Sequence, residues 1–369
     1  MEKNILRIII FILIFSLTSC LKEGELKVPF ISYSPRDIQD GWIISTPDSE
    51  GIDGEELKNI YRYYHENDDL WQVRSLLVFR NNKLIAESYT KDSDDITGPI
   101  AIWSCTKQVM AILTGIAIEN GLIESINDNI QKYLPEETKK YPGKGIITIE
   151  SLLKMQSGIA FENDGFNGES NKLLREIPDN SLDFVLGLPV YGEQGETFNY
   201  NDGDPHIISA ILQKQTGKTT RDWAKDVLFS KMNMKNYNWI TYKDGITMGA
   251  FGISATPREM AKIGHLVLNN GFWNEEQIIS QVWIKEIITT KVPAENVNYY
   301  GATFGYYWWI DESREIIFMN GHGGQFVFIK PGKNLIVITT AEPNTQGRHQ
   351  FLLPKALEIF DGIDEITRQ

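Results

Sequence analysis

The sequence predicts an α/β (α+β) domain in which a block of helices is inserted between two strand-rich ends. Strand-like runs lie near both ends, at 75–79, 84–89, 305–310, 325–329 and 335–340. The stretch 122–295 between them consists mainly of helical patterns separated by Gly, Asn and Pro loops. Strands and helices of one domain pack around a shared apolar core. The arrangement therefore predicts a sheet built from distant segments, with a helical lobe inserted within it.

The N-terminal segment is predicted to be a targeting signal. Lys3 and Arg7 precede an apolar run over 8–15, which is too short to span a bilayer but suits a signal-peptide core. The segment closes with Leu-Thr-Ser-Cys, which ends at Cys20 and resembles the lipobox of bacterial lipoproteins. The alternative is an ordinary secretory signal followed by an incidental Cys. We expect residues 1–19 to be the signal peptide and Cys20 to carry the lipid.

The remaining chain divides into a short leader and one domain. Residues 20–45 are polar and contain prolines, so we expect a lipidated, extended tether. A single domain is then predicted over 46–369, with a sheet lobe at about 46–103 and 296–369 and a helical lobe at about 104–295. The roughly 325 residues that follow the tether suit one unit with two lobes. No second apolar run in the sequence is long enough to cross a membrane.

Local signals predict several elements of the domain. Asp53 precedes an acidic first turn and is predicted to cap the first helix. Two strand-like runs meet at Asn81-Asn82, a pair typical of a hairpin turn. Apolar residues at helical spacing over 106–120 predict a long helix, which a following Gly ends. A closing helix is predicted over about 348–360.

Composition argues against several functions. The net charge of -13, with acidic and basic residues interspersed, argues against nucleic acid as a partner. The five His are scattered and show no H-E-x-x-H pattern, so we predict no metal and no cofactor. If Cys20 is lipidated, Cys105 has no partner for a disulfide. We interpret Cys105 as a small buried hydrophobic residue.

The spacing Ser-x-x-Lys on a helix is a candidate catalytic motif. It places a hydroxyl and an amine about one turn apart on one face, so the amine can take the hydroxyl proton if its surroundings keep it neutral. The chain has four matches, which begin at Ser19, Ser88, Ser104 and Ser151. Ser19 belongs to the signal segment, Ser88 ends a strand, and Ser151 lies in an ordinary amphipathic segment.

Ser104 is the best candidate of the four. It follows a segment, 99–103, that is predicted to be extended, and it begins a long apolar helix. Its hydroxyl would therefore face the positive end of the helix dipole and free backbone N–H groups. The alternative is that Ser104 only caps the helix. These residues alone leave both interpretations open.

Three motifs in a fixed order give a resemblance to a known family. They are Ser104-Cys105-Thr106-Lys107, Tyr200-Asn201-Asp202 and His322-Gly323-Gly324-Gln325. From about residue 50 to 345 the chain resembles the serine β-lactamase and penicillin-binding-protein superfamily. It is most similar to the class C branch, with its esterases, D-amino peptidases and nylon-oligomer hydrolases. The resemblance implies a β-lactamase/transpeptidase-like fold, with an antiparallel sheet flanked by helices.

The resemblance also implies a role for each motif. Ser104 would attack a carbonyl and form an acyl-enzyme, with Lys107 and Tyr200 as coupled proton-transfer partners. The backbone N–H groups of Ser104 and Gln325 would form the oxyanion hole. The substrate would be bound by Asp202, His322, Gly323 and Gly324.

Two positions depart from the family pattern. Asp202 stands where Asn is usual, and it replaces a donating amide with a group that, when ionised, only accepts hydrogen bonds. His322 replaces the Lys of many β-lactamases and so reduces the fixed positive charge for a substrate carboxylate. Together these changes favour a neutral or amine-bearing substrate. The alternative for Asp202 is that it only holds Lys107 or a neighbouring loop by a hydrogen bond.

The predicted function is a serine hydrolase that acts through an acyl-enzyme on an ester, an amide or a short peptide. We expect it in the bacterial cell envelope, periplasmic or at the surface, with the lipid on Cys20 as its membrane anchor. The alternatives are a true β-lactamase, a catalytically idle relative that binds envelope peptides, and a structural lipoprotein without a pocket. The presence of Ser104, Lys107 and Tyr200 together argues against an idle relative.

Overall fold

The computed structural model describes residues 28–163, 168–176, 179–292, 300–342 and 353–368. A sheet of eight strands forms its centre, accompanied by small sheets of three and two strands. The strands are β1 (Ile43–Ile44), β2 (Val73–Arg80), β3 (Lys83–Tyr89), β4 (Ile100–Ala101), β5 (Tyr237–Trp239), β6 (Ile253–Ala255), β7 (Phe272–Trp273), β8 (Glu276–Gln277), β9 (Thr303–Phe304), β10 (Trp309–Asp311), β11 (Ile316–Gly321), β12 (Gln325–Lys330) and β13 (Leu335–Ala341).

Most of the described helices lie between the two strand-rich ends of the chain, as the sequence predicts. They are α1 (Gly54–Glu66), α2 (Cys105–Glu119), α3 (Pro135–Lys139), α4 (Ile149–Leu153), α5 (Glu169–Glu176), α6 (Ser181–Gly187), α7 (Gly203–Thr216), α8 (Thr220–Ala224), α9 (Pro257–Leu268), α10 (Gln281–Thr289) and α11 (Leu353–Glu365). The helix predicted at 348–360 corresponds to α11.

The large sheet joins the two ends of the chain. Its strand order is β1-β3-β2-β13-β12-β11-β10-β9, so β2 near the start pairs with β13 near the end. That pair is antiparallel, and its register aligns Arg80 with Leu335. The described pairs of this sheet are all antiparallel except that of β1 with β3. The predicted α/β (α+β) fold, an antiparallel sheet flanked by helices, is confirmed.

Two predictions from short local signals are also confirmed. Asn81 and Asn82 join β2 to β3 with φ angles of 50° and 66°. A two-residue hairpin requires this left-handed conformation, and Asn adopts it more readily than most residues. Asp53 caps α1, because its side chain accepts hydrogen bonds from the backbone N–H groups of Glu55 and Glu56.

The strands near the C-terminal end differ in part from the prediction. The sequence predicts a strand over 305–310, but the structure forms one only at β10. Tyr307 has a φ of 63°, which breaks an extended chain before that point. The sequence analysis also did not identify β11, which pairs with both β10 and β12. The strand that completes this side of the sheet was therefore missed.

The segment before the domain lies against the sheet. The sequence predicts a tether up to residue 45, but β1 pairs with β3 inside the sheet. Val28 N–H donates to the carbonyl of Thr90 at 2.7 Å, and Glu87 N–H donates to the carbonyl of Tyr33 at 2.8 Å. An extended tether can therefore apply only before residue 28. The signal peptide and the lipidation site lie outside the described residues.

The buried guanidinium of Arg258, on α9, binds this segment as well as β3. The guanidinium of Arg258 donates to both carboxylate oxygens of Glu87, at 2.7 and 2.9 Å. It also donates to Asp40 at 3.0 Å and to the carbonyl of Arg36 at 2.6 Å. Removing one partner of a buried charge pair leaves the other uncompensated, which typically costs about 3–5 kcal/mol. Residues 36–40 are thus part of the folded unit.

The helix α2 lies between the sheet and the helical lobe. Its residues from Cys105 to Ala117 are all buried, as expected for a helix that is apolar on every side. It contacts β11 of the sheet and α7 of the helical lobe. Ser104 directly precedes this helix and therefore stands where the two lobes meet.

Candidate active site

Ser104 stands at the start of α2 but does not cap it. The residue has φ -62° and ψ -10°, and its side chain makes no capping hydrogen bond. Its hydroxyl oxygen accepts a hydrogen bond from Lys107 Nζ at 3.0 Å. The capping interpretation therefore lacks the contact on which it depends. The geometry favours the catalytic interpretation.

The residue before Ser104 has an unusual backbone conformation. Trp103 has a φ of 51°, in the left-handed region that a bulky side chain rarely adopts, at a cost of about 1–3 kcal/mol. Strain of this kind persists where the surroundings impose it, and it clusters at functional sites. The Trp103 ring packs edge-on against His322, with 5.6 Å between the ring centroids. The strained residue thereby connects the first motif to the third.

The side chain of Lys107 is fully buried. Its Nζ donates to Ser104 Oγ at 3.0 Å, Asp202 Oδ1 at 2.6 Å and the carbonyl of Ala250 at 3.1 Å. An ammonium has three N–H donors and no acceptor. Three oxygen acceptors around one nitrogen therefore fit the protonated form of Lys107. The ring centroid of Tyr200 lies 5.0 Å from the same nitrogen.

Opposing effects act on the pKa of Lys107. Burial lowers it, because the charged form loses its hydration, whereas the negative charge of Asp202 and the neighbouring Tyr200 raise it. The raising effects together are larger, so the pKa of Lys107 lies above its ordinary value. To act as a base, this amine needs surroundings that keep it neutral. The resting structure does not meet that condition, because the carboxylate of Asp202 lies beside the amine.

Tyr200 is half-buried beside Lys107, in the loop that leads into α7. Its ring contacts Phe304 of β9 and Trp309 of β10, at centroid distances of 6.0 and 6.1 Å. The second motif is thus held against the sheet, while Ser104 and Lys107 reach the same point from α2. The structure brings these three predicted residues together from distant segments of the chain.

Asp202 is turned toward Lys107 and away from solvent. It is 4% exposed and lies 2.6 Å from Lys107 Nζ. An ionised Asp202 and a protonated Lys107 together carry no net charge, so the pair offers little fixed negative charge to repel an anionic substrate. The structure therefore favours the alternative in which Asp202 holds Lys107 over a direct contact with substrate.

The third motif forms a turn between β11 and β12. Gly323 and Gly324 have φ angles of 80° and 103°, so they lie in the turn. A close approach between two backbone segments occurs two residues before Gly323, at Gly321. A Cβ at that position would lie 2.3 Å from the carbonyl oxygen of Ile102, closer than any side chain allows. Glycine at 321 therefore lets β11 lie directly beside the start of α2.

His322 is partly exposed in this turn. Burial lowers its pKa, and the positive charge of Arg175 on α5 lowers it further. The imidazole of His322 is therefore neutral at pH 7. Arg175 was not identified from the sequence, because nothing in α5 indicates that this helix lies near the third motif.

Gln325 lies inside the sheet. It is fully buried, pairs with Gly321, and its side chain donates to the carbonyl of Ala341 at 2.6 Å. Its own carbonyl accepts a hydrogen bond from Cys105 Sγ at 3.4 Å. β12 pairs with β11 from Gln325 and with β13 from Phe326 onward. The role of the Gln325 N–H in the oxyanion hole stays a prediction.

The other described Ser-x-x-Lys matches have structural contacts. Ser151 forms a capping box with Thr148 at the start of α4, and Lys154 pairs with Glu150 at 2.6 Å. Ser88 lies in β3, where its hydroxyl shares a hydrogen bond with the ring of His65. Of the three matches within the described residues, Ser104 is the one whose hydroxyl meets its own lysine.

The loop that supplies Ala250 was not recognised as part of the site from the sequence. A Cβ at Gly249 would lie 2.1 Å from the carbonyl oxygen of Pro205. Glycine at 249 therefore allows this loop to pack on α7 and to direct the Ala250 carbonyl at Lys107.

In the described part of the chain, no cluster of three or more His, Cys, Asp or Glu side chains is arranged to hold a metal ion. The described helices include none with the length and apolar character of a membrane span. Cys105 is a fully buried free thiol, and burial raises its pKa. Its burial agrees with the predicted packing role.

Comparison with known proteins identifies the family. The β-lactamase family model matches residues 75–352. That range includes all three motifs and spans both the sheet and the inserted helices. The chain belongs to the β-lactamase family. Its membership confirms the resemblance inferred from the motifs.

Relatives of this β-lactamase-family chain include hydrolases. The 6-aminohexanoate-dimer hydrolase of Paenarthrobacter ureafaciens is 20% identical over 317 residues, which cover 79% of each chain. A solved Bacillus anthracis structure, provisionally described as a 6-aminohexanoate-dimer hydrolase, has a TM-score of 0.70 at 18% identity and covers 92% of this chain and 90% of its own. A family VIII carboxylesterase has a TM-score of 0.66 at 16% identity, covering 85% and 97%. These structures show a shared fold, and the hydrolase relatives support a hydrolase of that fold.

Proposed function

We propose that this chain is a serine hydrolase that forms an acyl-enzyme at Ser104. The observation that carries the proposal is the 3.0 Å contact between Ser104 Oγ and Lys107 Nζ. The same serine makes no capping hydrogen bond and is partly exposed. The Ser104 hydroxyl is accessible, lies at a helix start and accepts a hydrogen bond from a buried lysine. These are the surroundings of an activated nucleophile.

The acylation step would begin with attack by Ser104 Oγ on a substrate carbonyl carbon. The carbonyl oxygen then gains negative charge and needs backbone N–H donors that are fixed in advance. The N–H of Ser104 has no acceptor among the described residues and stands at the start of α2. We propose that the second donor is the backbone N–H of Gln325 at the start of β12, as the resemblance implies.

Lys107 and Tyr200 would move protons between Ser104, the leaving group and water. Lys107 Nζ contacts the serine oxygen directly, and Tyr200 lies next to Lys107. A phenol can donate a proton to a departing alcohol or amine. After the leaving group departs, the same hydroxyl can orient the water that hydrolyses the acyl-enzyme.

We propose a neutral ester, an amide or a short peptide as the substrate. Three partly exposed side chains near Ser104 are aromatic: Trp103, Tyr200 and the neutral His322. Such rings offer apolar contact area with few fixed charges. The names of the relatives, 6-aminohexanoate-dimer hydrolase and carboxylesterase, agree with amide or ester chemistry. A true β-lactamase is the second candidate, because Arg175 brings a positive charge near His322.

A serine-reactive fluorophosphonate probe tests the nucleophile. We expect the label on Ser104, located by mass spectrometry of peptides, and we expect Ser104→Ala to abolish both labelling and ester hydrolysis. Ser151→Ala is the matched control, since it changes the same motif at a capping position and should cost about 1 kcal/mol of stability without loss of activity. Labelling that persists in Ser104→Ala and disappears in Ser151→Ala would mean that another serine is the nucleophile.

A substrate panel tests the second part of the proposal. p-Nitrophenyl esters, D-alanyl peptides and nitrocefin would be compared at equal enzyme concentration. We expect ester or amide turnover, with nitrocefin at least ~10-fold weaker in kcat/KM, a difference of about 1.4 kcal/mol. Efficient nitrocefin hydrolysis would shift the function to a β-lactamase and leave the role of Ser104 unchanged.

We also propose that the enzyme is lipid-anchored in the bacterial cell envelope, outside the cytoplasm. The support is the sequence around Cys20, a short apolar run behind basic residues and a lipobox-like ending. A lipid at Cys20 would hold the domain at a membrane through its N-terminal end.

A further inference from the structure

We infer that Asp202 is a positioning residue for Lys107 and the temporary acceptor of one of its protons, so that Ser104, Lys107 and Asp202 form a proton relay. The inference rests on the proposed acyl-enzyme function and adds a residue and a proton route to it. Asp202 stands where the resemblance implies a neutral Asn. The relay would therefore be a property of this chain.

Three atoms in contact carry the inference. Ser104 Oγ lies 3.0 Å from Lys107 Nζ, and Lys107 Nζ lies 2.6 Å from Asp202 Oδ1. Lys107 is fully buried and Asp202 is 4% exposed, so little bulk water can take part in proton transfer at this pair. The lysine nitrogen contacts both the serine oxygen and the carboxylate, so it offers a direct route for a proton between them.

The protonated lysine cannot accept a proton unless it first gives one up. Its three N–H bonds point to three oxygens, on Ser104, Asp202 and Ala250. Ser104 supplies the incoming proton, and the backbone carbonyl of Ala250 is too weak a base to take one. Among these three acceptors, the carboxylate of Asp202 is the only group that can receive the proton that Lys107 releases.

The step balances as two successive transfers. An N–H bond of Lys107 breaks first and its proton forms an O–H bond on Asp202, which leaves a neutral amine. The amine then rotates its lone pair toward Ser104, the Ser104 O–H bond breaks, and that proton forms a new N–H bond on Lys107. The serine oxygen bonds to the substrate carbonyl carbon, and the carbonyl oxygen becomes the oxyanion. When the leaving group departs, Lys107 gives it a proton and takes one back from Asp202. The enzyme is left acylated, with both side chains in their original protonation states.

Burial makes this route energetically reasonable. Moving the proton to Asp202 removes one buried negative charge as another develops on the substrate oxygen. The ammonium of Lys107 remains and faces the new charge. The number of buried charges therefore stays constant, which avoids the large desolvation cost of an additional ion.

The other ionisable groups near Lys107 define the control. Tyr200 is the second group that raises the pKa of Lys107, and burial keeps the Cys105 thiol neutral by raising its pKa. Asp204 stands two residues after Asp202, at the start of the same helix, but its carboxylate accepts from Ser157 Oγ at 2.6 Å. Asp204→Asn therefore changes a carboxyl at the same helix start without touching Lys107.

Single-turnover acylation tests the relay. The burst of p-nitrophenolate from p-nitrophenyl acetate would be followed from pH 5 to 10 in the wild type, Asp202→Asn and Asp204→Asn. In Asp202→Asn, burial of Lys107 is opposed only by Tyr200, so the pKa of Lys107 falls and the neutral amine must act as the base. We expect its acylation rate to be at least ~100-fold below wild type at the acid end, rising about tenfold per pH unit until Lys107 is neutral. The wild type and Asp204→Asn should lack this rise.

The shape of the pH profile distinguishes the relay from a merely structural role. If Asp202 only shapes the site, Asp202→Asn lowers the rate by one factor at every pH, and parallel profiles would overturn the inference. If Asp202→Asn does not fold, Asp202→Glu is tested in its place. The Glu variant retains the carboxylate, so its pH profile should match that of the wild type. A new rise with pH in the Glu variant would also contradict the relay. Absence of any burst and of any label on Ser104 in the wild type would instead contradict the proposed acyl-enzyme function.

Discussion

Tyr200 and Trp309 lie with their ring centroids 6.1 Å apart, at an interplanar angle of 32°. This contact joins the second motif to β10 of the central sheet. It involves the aromatic ring of Tyr200, whereas the proposed chemistry uses the hydroxyl. The two contributions can therefore be separated by removing the hydroxyl alone.

Tyr200→Phe should keep the ring packing and lose the proton transfer. We expect kcat for ester hydrolysis to fall about 10²- to 10⁴-fold, with little change in thermal stability. Mass spectrometry should detect an accumulating acyl-enzyme, because the group that orients the deacylating water is lost. Tyr237→Phe makes the same change outside the site and should leave kcat unaltered. A Tyr200→Phe variant with normal kcat would remove the hydroxyl from the mechanism.

Gly321→Ala should damage both the fold and the activity. The added Cβ would lie 2.3 Å from the Ile102 carbonyl oxygen, so β11 would have to move away from the start of α2. Overpacking of this kind typically costs about 1–3 kcal/mol, which denaturant unfolding measures. Gly332→Ala is the matched control, since a Cβ there meets nothing within 4 Å. Equal stability of both variants would contradict the close approach at Gly321.

His265→Phe should make the protein less sensitive to acid. The ring is 8% exposed, neither nitrogen has a partner among the described residues, and Trp42 and Trp273 pack edge-on against it. Burial lowers the pKa of His265 to about 4. Between pH 6.5 and 4 the unfolded chain therefore binds a proton that the folded chain does not, so stability falls as the pH is lowered.

Replacing His265 by Phe removes that contribution and retains an aromatic ring. We expect the stabilisation by His265→Phe to be larger at pH 5 than at pH 8 by about 1–2 kcal/mol. Urea unfolding at the two pH values measures the difference. A stabilisation that is the same at pH 5 and pH 8 would show that His265 does not titrate in this way.

Cys20→Ser tests the membrane anchor. Lipid chains supply most of the membrane affinity of a lipoprotein, so this variant should appear in the soluble fraction or remain unprocessed. Cell fractionation, with mass measurement of the mature N-terminus, gives the result. Cys105→Ser is the matched control, because Cys105 is buried in α2 and cannot carry a lipid. Processed Cys20→Ser protein that still fractionates with membranes would contradict lipidation.

The features predicted correctly depend on neighbouring residues or on ordered motifs. Asp53 caps α1 and Asn81-Asn82 turn the hairpin because each structure requires only a few adjacent side chains. Ser104 could be separated from the other Ser-x-x-Lys matches by its place before a long apolar helix. The order of the three motifs then gave the family.

The features that were missed depend on contacts between distant segments. Nothing near Ala250 in the sequence indicates that its carbonyl contacts Lys107, because that contact requires α2 and the loop before β6 to meet. The same holds for Arg175 of α5, whose charge acts on His322 of the third motif. Tyr307 lies in a run of residues typical of a strand. Its φ of 63° nevertheless breaks the strand there.

The N-terminal segment limits how far the enzyme could work from a membrane. A fully extended tether from Cys20 to residue 45 would reach about 90 Å, but the chain is held at the domain from Val28 onward, which leaves about 28 Å. With a lipid on Cys20, the domain would rest within one protein diameter of the bilayer. It would then meet substrates by lateral diffusion along the membrane, and it could not reach material deeper in a cell wall. The hydrogen bond from Val28 to Thr90 would thus define the working distance of the enzyme.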